Sequence, residues 1–580
     1  MAPIIGIDLG TTNSSAAYMT PEGPKLIPNA LGGTLTPSIV AVDDRGLVLV
    51  GSAARERQVI DPKSCASLFK RHMGSDYTTK IGSRKFTPED LSSLILRSLK
   101  RDADAFFKET ITDAVITVPA YFNDRQRKAT MAAGKIAGLT VQRILNEPTS
   151  AAIAYGFHEA QEDKTLLIFD LGGGTFDVSI VEFFEGSLEV KASSGESFLG
   201  GEDFTRVMAA RILEANKMSY ERAEMEAPQM VSRLIQQCEQ AKWKLSQQDS
   251  ATVRLPDRKG QFADDAAVIT ITRAQFEEWT GSILNRIEMP IRRVLSDAGL
   301  TRERIDEVIL VGGATRMPVI SQRIQELLNK APQRRYSPDE VVAMGAAVQA
   351  GLISRDESVK ELVVTDVAPF TLGIEITKQF GQEFQNGYFL PIIQRNTTIP
   401  VSRVERVTTL SANQPTVLVN VYQGEARKVE GNLRLGEFEV TGIPRGPAGQ
   451  AVDVRLTYDL NGVLEVEATI VATGKKIAQV ITRHAKQLTP EQIRKAIKEM
   501  AALKTHPRED EVNRFLMLKA ERLYQELGTY EREQLSQLLD QFEAALNSQD
   551  AEPIAQMRGM LESFLDQYDP PANGDADARS

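Results

Sequence analysis

Three glycine-bearing turns, each following a short apolar run, hold the residues best suited to chemistry. The first is Ile4-Ile5-Gly6-Ile7-Asp8-Leu9-Gly10-Thr11-Thr12-Asn13-Ser14. The second is Phe169-Asp170-Leu171-Gly172-Gly173-Gly174-Thr175-Phe176-Asp177, and the third is Val311-Gly312-Gly313-Ala314-Thr315-Arg316. Glycine lets backbone N–H groups approach anionic oxygens closely, and threonine adds hydroxyl donors, so each turn carries what a phosphate site needs. The first two share a strand-Asp-x-Gly form. Mirrored hairpins of that kind would set Asp8 and Asp170 on opposite sides of a Mg²⁺–phosphate cluster, where carboxylates hold the ion through its retained waters. Any one turn alone reads as an ordinary tight turn, and the matched pair is what argues for a site. Neither a Walker A loop nor a GxGxxG fingerprint is present, which removes the two commonest nucleotide folds.

Such turns need rigid strands beneath them. Up to about residue 357 the sequence supplies apolar bursts, Ala114-Val118, Leu166-Phe169 and Val308-Val311. These alternate with helical spacings such as Leu91-Leu94-Ile95-Leu99 and Ile320-Ile324-Leu327-Leu328. Fully apolar strands alternating with helices predict buried sheets covered by helices, an α/β architecture for residues 1–357. Residues 367–486 read differently. Val452-Leu456 and Val463-Glu467 alternate with period two around Asp459-Leu460-Asn461-Gly462, a strong hairpin signal, and Thr416-Tyr422 is a further strand. Gly442-Gly449 is a loop, so this part is an antiparallel all-β module. From 487 to 568 the spacing is helical: a start at Thr489-Pro490, then Val512, Leu516, Leu523 and Leu527, then Leu535 to Leu546, then Ile554 to Phe564. Gly528 and the Ser548–Pro553 region are expected to break it into a small bundle, and residues 569–580 to be a disordered tail. Between the first two regions, at 358–366, lies the apolar strip Leu362-Val363-Val364-Thr365-Asp366, bounded by charges, which in isolation reads as a buried edge strand.

Composition bounds the rest. Of 580 residues, 42% are hydrophobic and 25% charged, the balance of a soluble globular protein of more than one domain. A net charge of -10 argues against a general nucleic-acid or anionic-membrane binder. The two cysteines, Cys65 and Cys238, exclude a disulfide framework, and the four scattered histidines offer no metal-ligand spacing. Met1-Gly6 carries no basic stretch leading into an apolar core, and no run of 18 apolar residues occurs. The expectation is a cytoplasmic protein with no nucleic-acid or membrane partner.

In this order the three turns resemble those of the actin/sugar-kinase ATPase superfamily. Their full wording is similar to the 70-kDa heat-shock protein (DnaK) chaperone family. Further stretches carry the likeness: Val115-Asp124, Asn146-Ala152, Gly200-Gly201-Glu202-Asp203-Phe204 and Asn396-Thr397-Thr398-Ile399-Pro400. It runs from residue 1 to about 486, and beyond that only the helical pattern agrees. The resemblance implies a multidomain chain: an α/β actin-like (ribonuclease H-type) ATPase with two lobes, an antiparallel β-sandwich that binds peptides, and an α-helical lid bundle.

By position, the resemblance gives Asp8 and Asp170 to hydrated Mg²⁺ and Asp177 to ion binding beside the phosphates, with K⁺ a further candidate ion. Gly10, Thr11, Thr12, Asn13, Gly172, Gly173 and Gly174, with Gly200, Gly201 and Glu202, would surround the phosphates. Lys70 matches the family lysine at the γ-phosphate and attacking water, Glu147 the carboxylate of the water network, and Thr175 a hydroxyl near the γ-phosphate. Glu239 and Lys242 would meet the ribose and Ser246 the base. Gly312, Gly313 and Asp339 complete the nucleotide set, and Arg316 would stack on adenine. Trp243 stands where the family usually has a second basic residue, so it either stacks on the nucleotide or packs as an ordinary helix aromatic.

The resemblance also implies that the linker, Leu362, Val363, Val364 and Asp366, joins the ATPase domain when ATP is bound and leaves it after hydrolysis. Pro119 and Arg127 match a switch proline and a relay arginine, and Arg143 a contact for J-domain co-chaperones. Ile374, Thr377, Val407, Leu410, Val417 and Val419 would line the peptide groove, with Thr377 and Leu410 arching over it; otherwise all six read as β-core. Thr365, the short Asp76–Phe86 segment, the short lid and the missing EEVD ending look more like an HscC-type bacterial paralogue. The expected function is an ATP-dependent chaperone, an ATPase taking ATP/ADP and Mg²⁺ and binding apolar segments of unfolded proteins. A J-domain partner is expected and a nucleotide-exchange factor is left open. The alternatives are a regulatory member with few clients, or another actin-fold ATPase such as a sugar kinase or a filament former.

Overall fold

The computed structural model describes residues 2–159, 163–184, 187–263, 266–333, 335–355, 363–381, 383–458, 464–480, 510–548 and 551–569. The apolar bursts become strands buried on both faces, and they assemble into two sheets built on one plan. In the first, Ile5–Asp8 runs parallel to Asp113–Val118 and antiparallel to Asn13–Thr20. In the second, Lys164–Leu171 runs parallel to Glu307–Val311 and antiparallel to Phe176–Phe184. Each Asp-bearing turn therefore sits at the mouth of a hairpin with a parallel strand beside it. Helices cover the sheets. Pro88–Phe107 starts at a capping box between Thr87 and Asp90, and Asp124–Ile136 at one between Asn123 and Gln126. Val341–Ser354 is buried along most of its length and carries no amphipathic stripe, as a helix enclosed by protein should. The Asp76–Phe86 segment forms a two-stranded hairpin, Thr79–Ile81 with Arg84–Phe86.

The β module is a sandwich of two four-stranded antiparallel sheets. One contains Glu383–Ile393, Leu372–Phe380, Thr416–Gln423 and Leu433–Thr441; the other Val401–Thr408, Ala451–Tyr458, Leu464–Ile470 and Lys475–Val480. Inward alternation along the strands builds a core from Leu372, Val421, Phe438, Val454, Leu456 and Val466. The Asn461-Gly462 turn, the helix start at Thr489-Pro490, Leu362 and residues 570–580 lie outside the described residues.

Three helices, Glu511–Glu526, Thr529–Ser548 and Ala551–Tyr568, bury Leu516, Leu523, Leu535, Phe542, Leu546, Leu561 and Leu565 against one another. The expected break is shorter than the sequence suggested: the last helix opens before Pro553. A proline in a first helical turn forfeits no intrahelical bond, so Pro553 is tolerated there.

These parts are packed together. Val363–Val367 adds to the second sheet, parallel to the strand Ser187–Glu196, and Asp366 and Val367 pair in turn with Ile399 and Thr398 of the β module. Phe370 packs on Tyr121 with ring centroids 4.4 Å apart, and Arg395 bridges to Asp297 at 2.8 Å. Asn396 donates to Asp297 at 3.0 Å and accepts from the Ser193 N–H at 3.1 Å.

Candidate functional site

The two hairpin turns meet across the gap between the sheets. A Cβ on Gly173 would fall 1.7 Å from the Thr12 hydroxyl oxygen, and one on Gly200 2.4 Å from the backbone of Gly173 and Gly174, so no side chain fits at either position. The Gly201 and Glu202 N–H groups donate to the carbonyls of Gly172 and Gly173, both at 2.9 Å, tying the second turn to the start of helix Gly201–Ala215. The start of that helix is thus packed directly on the second turn, its first N–H groups already bonded within the protein. The side-chain hydroxyls of Thr11 and Thr12 are buried there without a protein partner. Buried polar groups are nearly always satisfied, so two such hydroxyls beside glycine turns are suited to an anionic ligand.

Asp170 and Asp177 are buried and Asp8 is partly buried. Burial, followed by the negative charge of Glu147, pushes Asp8 and Asp177 up to about 7 and Asp170 well above the ordinary carboxylate range. Asp8 accepts from the Thr117 hydroxyl at 3.2 Å and Asp177 from the Tyr121 N–H at 3.1 Å. Among the described residues no three carboxylate, imidazole or thiol groups are arranged to ligate one ion directly. An all-oxygen set of that kind suits Mg²⁺ that keeps its waters, and a doubly charged ion would relieve the mutual repulsion of the carboxylates.

Lys70 and Glu147 form a buried ion pair at 2.7 Å, with Lys70 2% exposed. Glu147 opens helix Glu147–Glu159, and Lys70 lies in a single 3₁₀ turn, Phe69–His72. Thr175 is buried in the second turn, its carbonyl accepting from the Gly172 N–H at 3.1 Å. Gly313 packs against Asp339, which holds Arg316 at 2.8 Å. On helix Pro228–Leu245, Lys242 donates to Glu239 at 2.6 Å and to the Gly201 carbonyl at 2.9 Å. Burial works to raise the Glu239 pKa, but Lys242 and the Thr205 hydroxyl carry it below its usual value, so this carboxylate stays ionised. Ser246 caps that helix and donates to the Lys242 carbonyl at 3.1 Å, beside a small cavity also lined by Phe276 and Met317. Trp243 points outward, half exposed.

A chain of hydrogen bonds starts at the residue before Glu147. That residue, Asn146, donates to Asp366 at 2.7 Å and accepts from Arg127 at 2.5 Å; Thr149 also donates to Asp366, at 3.2 Å. Arg127 further holds the carbonyls of Ala120 and Phe122, in the loop that Pro119 begins. Arg143 is half-buried beside this chain, donates to Gln349 at 3.0 Å, and lines a cleft with Asp366 and Tyr458. In the β module, Ile374 and Val419 are core residues, Val407 and Val417 pack against that core, Thr377 donates to Asn386 at 2.7 Å, and Leu410 is exposed. The groove candidates thus divide into four that line the sandwich interior and two at its edge.

Sequence reasoning passed over Arg71 and Asn146. Arg71 crosses the gap, donating to the Gly174 carbonyl at 2.9 Å and pairing with Asp203 at 2.6 Å. Its adjacency to Lys70 was the available signal. Asn146 was visible only as the residue before Glu147.

Taken together, the geometry defines an α/β domain of two like sheets with glycine turns facing each other, whose second sheet is extended by the strand leading into a β-sandwich. A family model described as Hsp70 protein matches residues 4–569, nearly the whole chain. The protein belongs to the Hsp70 family, whose members are ATP-binding, Mg²⁺-dependent chaperones. No helix among the described residues is long and apolar enough to cross a membrane.

Proposed function

We propose that this chain is an ATP-driven peptide-binding chaperone, in which an actin-like ATPase switches the affinity of the β-sandwich through the linker strand. The observation that carries the reading is the path from Lys70 and Glu147, through the adjoining residue Asn146, to Asp366 and the paired strand Val363–Val367. An element that can pair with the ATPase sheet or leave it is the two-state part such coupling requires.

In this reading Gly10, Thr11, Thr12, Asn13 and Gly172–Gly174 cradle the phosphates, and Glu239, Lys242, Ser246 and Arg316 hold the adenosine. Asp8, Asp170 and Asp177 hold hydrated Mg²⁺, which when bound supplies charge neutralisation to the phosphates. Lys70 holds positive charge where the γ-phosphate lies, and Glu147 orients the attacking water with help from the Thr175 hydroxyl. No covalent protein intermediate is needed, because phosphoryl transfer is served by positioning and charge. The β module takes short apolar segments of unfolded proteins at the edge marked by Thr377 and Leu410. Arg143, which lines a cleft with Asp366, would be the contact for a J-domain partner. Coupling must be reciprocal: if ATP weakens peptide binding, peptide weakens ATP binding by the same factor.

The test is the release rate of a fluorescent apolar heptapeptide with ADP and with ATP, in the unaltered chain and in Thr175→Ala. ATP is expected to speed release strongly in both, with hydrolysis lost in the variant. Release that ignores bound ATP in the unaltered chain would sink the coupling.

A further inference from the structure

Helix Glu511–Glu526 lies across the rims of both lobes. On the first lobe, Leu518 and Phe515 enter an apolar cluster with Ile39, Ala41, Leu49 and Ala53. Arg522 donates to Glu56 of helix Ser52–Ile60 at 2.5 Å, and Arg514 to the Val48 carbonyl at 3.0 Å. On the second lobe, Arg233 of helix Pro228–Leu245 pairs with Glu526 at 2.6 Å and donates to Gln525 at 3.3 Å. Glu526 also accepts from Arg522 at 3.4 Å, so one carboxylate joins the two arms. Arg233 is 3% exposed, and burial holds its pKa below the usual arginine value, so its charge has given up water for these partners.

The two rim helices are the ones that reach the nucleotide-handling residues. Arg55, on Ser52–Ile60, donates to Asn13 at 3.2 Å, while Glu239 and Lys242 sit on Pro228–Leu245. At the level of the rims themselves Ser232 donates to the Gln58 carbonyl at 3.2 Å. The helix Glu511–Glu526 therefore ties together the two helices that border the gap on either side.

We propose that helix Glu511–Glu526 is a strap that holds the nucleotide cleft shut, so that nucleotide release waits on the strap lifting from Arg233 and Glu56. The proposal rests on the reading of the cleft as an ATP site and adds a control on release that lies outside the site.

The test is stopped-flow dissociation of a fluorescent non-hydrolysable ATP analogue from the full chain. Arg233→Ala and Glu526→Gln are each expected to speed release on the order of tenfold, as loss of a desolvated charge pair should. Leu518→Asp, which lifts the strap from the first lobe, should speed it at least as much. Adding Arg233→Ala to Leu518→Asp should then change nothing further, because a lifted strap has no second arm to lose. A merely structural role for Arg233 within its own lobe would instead make the two effects add. Additive effects, or release unchanged in both Arg233→Ala and Glu526→Gln, would overturn the strap while leaving the ATP site intact. An unaltered chain that binds no analogue would remove both readings.

Discussion

The pair Lys70–Glu147 sets the terms at the residue scale, because two opposite charges 2.7 Å apart in a dry site leave a costly orphan when one is removed. Lys70→Met is expected to lower stability by about 3–5 kcal/mol by stranding Glu147. It should also reduce hydrolysis by roughly a hundred- to a thousandfold, as loss of a preorganised charged donor does. Lys70→Met/Glu147→Leu should recover most of the stability in thermal unfolding and none of the hydrolysis, which separates the two roles. The glycines make a sharper case. A Cβ at Gly173 must displace Thr12, so Gly173→Ala should cost about 1–3 kcal/mol of local strain. Isothermal titration should show nucleotide affinity falling by roughly ten- to a hundredfold. Gly281, inside the helix Arg273–Ala298 with nothing near its Cβ position, provides the control, and Gly281→Ala should leave affinity unchanged. The turns were legible in the sequence because glycine and threonine leave a local signature. The Lys70–Glu147 contact was not, since nothing in the spacing of two residues 77 apart says that their side chains meet; only resemblance brought them together.

Elements carry the signal from that pair to the peptide module. The strands were readable because burial on both faces makes them uniformly apolar, and Lys164–Leu171 announces itself for that reason. Val363–Val367 was ambiguous, because a strip that pairs with another sheet looks the same as an edge strand of its own. Its Asp366 is buried and accepts from Asn146 and Thr149, which fastens the strand at one end. Asp366→Ala would leave those donors unsatisfied at about 1–3 kcal/mol. We expect hydrogen exchange of Val363–Val367 to quicken in the ATP-bound chain and ATP-driven peptide release to slow, with ATP affinity little altered. Release that stays fast in Asp366→Ala would mean that the strand is not the route. Thr365 adds only a long contact to the Leu188 carbonyl of the neighbouring strand, 3.4 Å.

Docking of the helical bundle on the first lobe is a property of the whole molecule, and no sequence window contains it, since Arg101 and Glu511 are partners across most of the chain. Beside that pair lies Asp102, 7% exposed, with one carboxylate oxygen lacking any hydrogen-bond partner. Burial, and then the charge of Glu511, push its pKa up to about 7, against the opposing pull of Arg101 and a backbone bond from Ala30. Glu511 is itself raised by burial, with Arg101 and Arg514 pulling it down and Asp510 pushing it up. The sign follows from linkage. The charge of Glu511, which the bundle brings, raises the Asp102 pKa, so the docked form binds the extra proton; that cost is absent below the undocked pKa and complete once pH has risen past about 7. Acidification from pH 8 to pH 6 carries the docked carboxyl from mostly ionised to mostly protonated and should therefore favour docking by up to about 1.4 kcal/mol, any further gain coming only below pH 6. Energy transfer between dyes on the bundle and on helix Pro88–Phe107 would read the docked fraction directly. Asp102→Asn, which removes the charge and keeps the shape, should hold docking near its low-pH level throughout. Docking in the unaltered chain that does not change between pH 6 and pH 8 would show that Asp102 keeps its neighbours' protection whether or not the bundle is seated.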